Sequence, residues 1–157
     1  MSIRDLLIGV ISDTHGLLRP QALDALRGAD LIIHAGDVGK PEILAPLRAL
    51  APTYAVRGNV DHGEWAERLP TTEIVHAGDL MLYVLHNIAD LDLDPPTAQF
   101  AAVIYGHSHQ PSIETRDGVL YLNPGSAGPR RFSLPISLAR IIVAGGKLTP
   151  ELITLAV

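Results

Sequence analysis

Seven side chains of metal-ligand type each fall just beyond a short apolar run. Asp13 and His15 follow the run ending at Ile11, and Asp37 follows Leu31–His34. Asn59, with Asp61 close by, follows Tyr54–Val56; His86 closes Leu80–Leu85; His107 and His109 follow Ala101–Tyr105. Asp-x-His and His-x-His place two donors at i and i+2, where extended or turn backbone points them the same way. Gly36, Gly58 and Gly106 each precede one of these donors and supply the sharp turns that bring backbone and ligand close. Seven donors exceed the needs of one four- to six-coordinate ion and suit two ions sharing a carboxylate. Two divalent cations against two carboxylates leave a local surplus of about +2, which calls for an anion. Phosphate esters are the commonest anionic substrates of paired-metal sites. Cysteine is absent, so disulfides, thiol nucleophiles and thiolate metal sites are excluded, and the metal must sit on oxygen and imidazole nitrogen.

The elements that position these donors read as strands. Eight apolar runs of three to eight residues are mostly bounded by Gly, Pro, Asp or Asn. Besides the five above, they are Val119–Leu122, Ile136–Val143 and Leu152–Leu155. The early ones are apolar throughout, as strands covered on both faces are. From Ser112 onward the pattern moves to alternation and hairpins, with Arg116-Asp117-Gly118 and Gly145-Gly146 as turns. Two helical patterns intervene, Pro20 to Arg27 and Pro41 to Leu50. Pro46 inside the second predicts a kink or a late start, since an interior Pro costs about 3 kcal/mol. The order is βαβαβ followed by mostly β, an α/β (mixed α+β) class that suits two sheets face to face with helices outside. The donors then gather at the carboxyl ends of five strands, the edge where binding crevices form.

Length and charge narrow the rest. A chain of 157 residues, 47% apolar and 18% charged, suits one domain over residues 1–157. Twelve Lys and Arg against seventeen Asp and Glu give a net charge of −5, which excludes non-specific nucleic-acid binding. No apolar stretch approaches the ~20 residues of a membrane helix, so no membrane association is expected. Met1-Ser2-Ile3-Arg4-Asp5 is unlike a secretory leader, and the expected location is the cytoplasm.

Taken together, Asp13-Thr14-His15, Gly36-Asp37, Gly58-Asn59-Val60-Asp61, His86 and Gly106-His107-Ser108-His109 resemble, in order, the motif series of the calcineurin-like metallophosphoesterases. Asn123-Pro124-Gly125-Ser126 followed by Pro129-Arg130 resembles their small prokaryotic phosphodiesterase branch. The resemblance covers about Ile8 to Arg131. It implies a four-layer αββα sandwich, two mixed β-sheets flanked by helices. Carried over by position, it implies that Asp13, His15 and His109 bind a first metal, that Asp37 bridges, and that Asn59, His86 and His107 bind a second. Asp61 would orient a ligand or a water. A metal-bridging hydroxide would attack phosphorus and cleave a P–O ester bond. The cofactors implied are two divalent ions, Mn²⁺ first, with Fe, Co, Ni or Zn compatible with the same donors.

Two positions depart from the pattern. Larger enzymes of the family carry a His after the third-motif Asn, where it protonates the leaving group; here Val60 stands there and transfers no proton. His62 is the nearest substitute acid, so Asp61 and His62 are the catalytic candidates beside the metals. Asn87 follows His86 where the family usually has Gly, which predicts a loop change. Asn59 and Arg130 are the candidate substrate contacts, Arg130 with Arg131 as a fork for phosphate oxygens or as solvated loop.

His34 reads as a core or supporting histidine, His76 as exposed beside a turn, and Trp65 as packing with a pocket-wall alternative. Asp90, Asp92 and Asp94 imitate the start of a calcium loop, but Pro95 and Ala101 stand where that loop needs Gly and Glu, so a solvated loop is the reading. The substrate is a small phosphate ester, diesters before monoesters. A phosphomonoesterase or nucleotidase on the same site is the enzymic alternative. A scaffold module of the same fold is the non-enzymic one, because a small member of the superfamily serves as a retromer subunit. A homo-oligomer is compatible with everything above.

Overall fold

The computed structural model describes residues 5–157. Met1–Arg4, read above as unlike a leader, lie outside them. Two five-stranded sheets form the body. The first contains β1 (Leu6–Ile11), β2 (Leu31–His34), β3 (Thr53–Ala55), β9 (Ser137–Ala144) and β10 (Lys147–Thr154), in the order β10-β9-β1-β2-β3. The second contains β4 (Thr72–Ala77), β5 (Leu80–Leu85), β6 (Ala102–Ile104), β7 (Ser112–Arg116) and β8 (Val119–Asn123), in the order β4-β5-β6-β8-β7. Strands β1, β2 and β3 pair in parallel, as do β5, β6 and β8, while β1–β9, β9–β10, β4–β5 and β7–β8 are antiparallel. Both sheets are therefore mixed, as expected.

Alternation along the strands makes three apolar layers. Ile8, Val10 and Ile33 of the first sheet meet Leu82, Val84, Ile104 and Leu122 of the second in the central layer. On the far side of the first sheet, Ile11, Ile32 and Leu138 are covered by α1 (Pro20–Leu26) and α2 (Leu44–Leu50) through Ala22, Leu26, Leu44 and Leu47. Pro20 occupies the first turn of α1, and Gly28 beyond it adopts φ +85°. Pro41–Ile43 form a 3₁₀ turn and α2 starts at Leu44, so Pro46 falls in its first turn, where no N–H is needed. The late start expected from Pro46 is what the chain adopts.

The outer face of the second sheet is covered differently. Tyr83, Leu85, Val103 and Tyr121 lie under Ile88, Leu91, Leu93 and Phe100. That segment is a 3₁₀ turn (Ile88–Asp90) and irregular chain, not an α-helix. Its Pro95-Pro96 and spaced aspartates oppose helix formation.

Edge strands account for the other differences. Strand β4 was no apolar run because only Val75 and Ala77 point inward, with His76 exposed between them. Strand β10 begins at Lys147 and contains Pro150, tolerated because β10 is an edge.

Candidate metal centre

Loops at the carboxyl ends of β1, β2, β3, β5 and β6 converge at one rim. The first two are zipped together: Asp13 N–H donates to Gly36 O (3.0 Å), His15 N–H to Asp37 O (2.9 Å) and Gly16 N–H to Val38 O (2.8 Å). Such tight turns force unusual backbone. Asp13, His15, Asp37, His107 and His109 all have positive φ, between 47° and 72°. Left-handed backbone is unfavourable for residues with a Cβ, and its concentration on five ligand candidates marks a site whose surroundings over-determine it. Glycine supplies the approach. A Cβ at Gly36 would stand 2.6 Å from His86 Nδ1, one at Gly58 would collide with Asp37, and one at Gly106 with Ser12 and Asp13.

The side chains form two groups, Asp13 with His15 and His109, and Asp37 with His86 and His107. In the first, His15 Nε2 and His109 Nε2 face each other at 3.2 Å, with Asp13 Oδ1 at 3.7 and 3.4 Å from them. Donor atoms sharing one ion at about 2.0–2.1 Å stand roughly 3.0–3.4 Å apart, so this spacing suits a common ion. Asp37 Oδ2 lies 3.2 Å from His86 Nε2 and 3.6 Å from His15 Nε2, within reach of both groups. Asn59 Oδ1 stands 3.1 Å from His107 Nδ1 and so joins the second group.

The donor set fits divalent ions by its unfilled atoms. Asp13 Oδ1 and His86 Nε2 are buried without a hydrogen-bond partner. Their companion atoms are fully used. Asp13 Oδ2 accepts from the Ser12 hydroxyl (2.7 Å) and His107 N–H (3.1 Å), leaving Oδ1 free. His86 Nδ1–H donates to Ala35 O (2.7 Å), which leaves the Nε2 lone pair pointing at the carboxylates. Burial would raise the Asp13 carboxyl, but His109, His15, the charge of His86 and Ser12 outweigh it and hold it far below the usual range. Asp37 is likewise lowered against its burial, by His86 and the Val60 amide. Burial pushes His86 down, yet Asp37 and Asp13 raise it overall.

The supporting residues are as specific as the ligands. His34 is fully buried with both nitrogens used: Gly36 N–H donates to Nδ1 (3.1 Å), so Nε2–H donates to Thr14 Oγ1 (3.0 Å), which donates to Val38 O (2.9 Å). It ties the first two loops together and has no lone pair left for a metal. Its burial lowers its pKa to about 4. Asp61 accepts from three backbone amides, Val38 (3.2 Å), Gly39 (2.9 Å) and Gly58 (2.9 Å), so its carboxylate binds the second loop to the third. Asn123 Nδ2 donates to Gly106 O (3.0 Å) and Ser108 Oγ (3.1 Å), and Ser126 Oγ donates to Asp13 O (2.9 Å). The Asn-Pro-Gly-Ser segment thus props the loops that carry Asp13, His107 and His109.

A cleft of about 570 Å³ opens beside Asn59, His86 and His107, and also borders Arg57, Tyr83 and Asn87. Of the residues expected to face substrate, Asp61, His62, Arg130 and Trp65 stand outside that lining. His62 is exposed and lines a smaller recess with Arg57, Asp61 and Glu67. Arg130 is exposed and donates to Leu134 O (3.2 Å), which spends one arm of its guanidinium on its own loop. Trp65 packs with the α2 side of the first sheet. Sequence reasoning missed Arg57, the cation of the cleft lining, although its place directly before Gly58-Asn59 was a signal. Ser12 and Thr14, flanking Asp13, were missed too.

Comparison with known proteins agrees with this geometry. The sequence model of the calcineurin-like phosphoesterase superfamily domain matches residues 6–146. A probable metallophosphoesterase of Methanothermobacter thermautotrophicus is 34% identical over 160 residues, covering 94% of this chain and 92% of its own. The solved structure of an archaeal phosphodiesterase superposes with a TM-score of 0.79 at 26% identity, over 96% of this chain and 100% of that one. Vps29 from Entamoeba histolytica, solved with Zn²⁺, superposes with a TM-score of 0.71 at 22% identity, over 95% and 99%. This last likeness speaks for the fold alone. With its motifs in order and its donors gathered at one rim, the chain belongs to the calcineurin-like phosphoesterase superfamily.

Proposed function

We propose that the chain is a dinuclear metal-dependent phosphodiesterase. The observation that carries this reading is the pair of Asp/His groups with Asp37 Oδ2 within reach of an imidazole from each. Asp13, His15 and His109 would hold one ion, Asn59, His86 and His107 the other, and Asp37 both. Two divalent ions there supply Lewis acidity to the phosphoryl oxygens and acidify the attacking water. We take Mn²⁺ as the ion and the cytoplasm as the compartment.

The chain's own groups do the rest. Asp13 and Asp37 stay ionised at any physiological pH and keep their oxygens aimed into the space between the groups. His34, Asp61 and Asn123 hold the ligand loops in place. Arg57 has no side-chain hydrogen bond or ion pair among the described residues, and its fork is open to a phosphate oxygen at the cleft wall. Apart from His86 and His107 the cleft lining has no imidazole, and Val60 presents only a backbone N–H, donated to Asp37 Oδ1 (3.0 Å). The leaving oxygen therefore departs without a dedicated general acid. This favours diesters with good leaving groups.

The scaffold alternative rests on the likeness to Vps29, but the unfilled Asp13 Oδ1 and His86 Nε2 favour a working centre. Hydrolysis of bis(p-nitrophenyl) phosphate and of p-nitrophenyl phosphate, with Mn²⁺ and with chelator, tests the proposal. Metal-dependent release from the diester, faster than from the monoester, is expected. No metal-dependent release from either ester would refute it, and monoester preference would move it to the nucleotidase reading.

A further inference from the structure

We infer that the outer wall of the cleft is a cation subsite, so that the favoured substrates are phosphodiesters of an amino alcohol. This rests on the phosphodiesterase reading. Ile88, Leu91 and Leu93 anchor the segment after His86 onto the apolar face of the second sheet. The intervening Asp90 and Asp92 line the cleft instead. Neither carboxylate has a side-chain hydrogen bond or ion pair among the described residues. Tyr83 borders the same cleft, 8% exposed, its ring tilted against Phe100 and its hydroxyl without a hydrogen bond among the described residues. Two unpaired carboxylates beside an unpartnered phenol oxygen are the acceptors that an ammonium group, which only donates, requires. A neutral alcohol would gain little there over water, and an anionic one would meet like charge.

The lining orders the two ends of such a substrate. Arg57 and Asn59 come from the loop after β3, and His86 closes β5, so the phosphate belongs at that end. Asn87 Oδ1 accepts from Ala89 N–H (3.0 Å), which leaves its Nδ2 as the free donor between the phosphate end and Asp90. Asn87 also starts the 3₁₀ turn that brings Asp90 over the cleft. The departure from the usual family Gly thus builds the wall.

The test keeps the leaving group constant and varies the retained alcohol. With Mn²⁺-loaded protein, kcat/KM is compared for the p-nitrophenyl diesters of 2-aminoethyl, ethyl and 2-carboxyethyl phosphate. The aminoethyl diester should lead the ethyl one by up to about fivefold, the size of one solvent-exposed ion pair, and the carboxyethyl diester should trail both. Asp90→Asn with Asp92→Asn should bring the aminoethyl-to-ethyl ratio to about one, and Asp92→Lys should favour the carboxyethyl diester. Equal rates in the unmodified protein, or a ratio that survives the double substitution, would overturn the subsite. Calorimetry with 2-aminoethyl phosphate and ethyl phosphate separates the two ideas. If no diester is hydrolysed, tighter 2-aminoethyl phosphate binding that depends on Asp90 and Asp92 keeps the subsite while the phosphodiesterase reading falls. Equal binding removes the subsite.

Discussion

Asp13, His15 and His109 are enclosed by the zipped loops after β1 and β2, whereas His107 and Asn59 of the other group are exposed at the cleft. Both groups use the same ligand types, so the difference lies in what surrounds them. In the first, Ser12 and the His107 amide take up Asp13 Oδ2 and Ser126 takes up its carbonyl, which leaves Oδ1 as the free oxygen of Asp13. In the second, one side is open to solvent and substrate. On the proposed reading, enclosure would favour tight metal retention, and openness would favour exchange and contact with an ester. Asp37 joins the two.

The largest effect is expected at that joint. Asp37→Ala should remove metal from both groups and bring diester hydrolysis down to the level seen with chelator, with far-UV circular dichroism unchanged. Full activity at unchanged metal content would break the account. Next in size is the dependence on leaving group at the open side. A general acid is worth ~10²–10⁴-fold, most for basic alcohols, so aryl diesters should outrun alkyl ones by a wide margin. Val60→His should narrow that margin, while His62→Ala should leave it unchanged, because His62 stands outside the cleft lining. A flat dependence in the unmodified protein would show that another group donates the proton.

Single-ligand substitutions then separate the groups. His107→Ala should weaken binding of one ion by more than the ~10–100-fold that loss of an outer-shell partner costs, and leave the other in place. His109→Ala should do the converse, affecting the enclosed ion. Titration calorimetry reads both; the same site lost in both variants would contradict the division.

Much of this arrangement was readable from the chain because strand ends and ligand types coincide. A short apolar run ending in Asp, Asn or His states both where a strand stops and what its end offers. The edge strand β4 was not readable, since half-exposed positions such as Ile74 and His76 dilute its apolar signal. Asp61 shows a second limit. Its place near Asn59 suggested chemistry, but a carboxylate taken up by three amides is a loop clamp, and only three-dimensional proximity of Val38, Gly39 and Gly58 reveals that. His34 was read as core or supporting, and its bonds to Thr14 and Gly36 show which loops it joins.

His34 also gives apoprotein stability a dependence on pH. Its folded pKa, about 4, lies below its ordinary value of 6.5. Between these values the unfolded chain binds the extra proton, so stability falls as the pH drops through that window and levels off below it, by on the order of 3 kcal/mol. His86 is shifted the opposite way and loses its contribution as pH rises through its own raised pKa. Thermal unfolding of the metal-free protein at pH 6.5 and pH 4 should show the drop, and His34→Gln should reduce it. An equal drop in the variant would assign it elsewhere.

The most direct measurement is anomalous diffraction from crystals loaded with Mn²⁺. Two peaks are expected at the strand-end rim, one ligated by Asp13, His15 and His109, the other by Asn59, His86 and His107, with Asp37 touching both. A single peak, or one ion ligated by both His107 and His109, would contradict the dinuclear account.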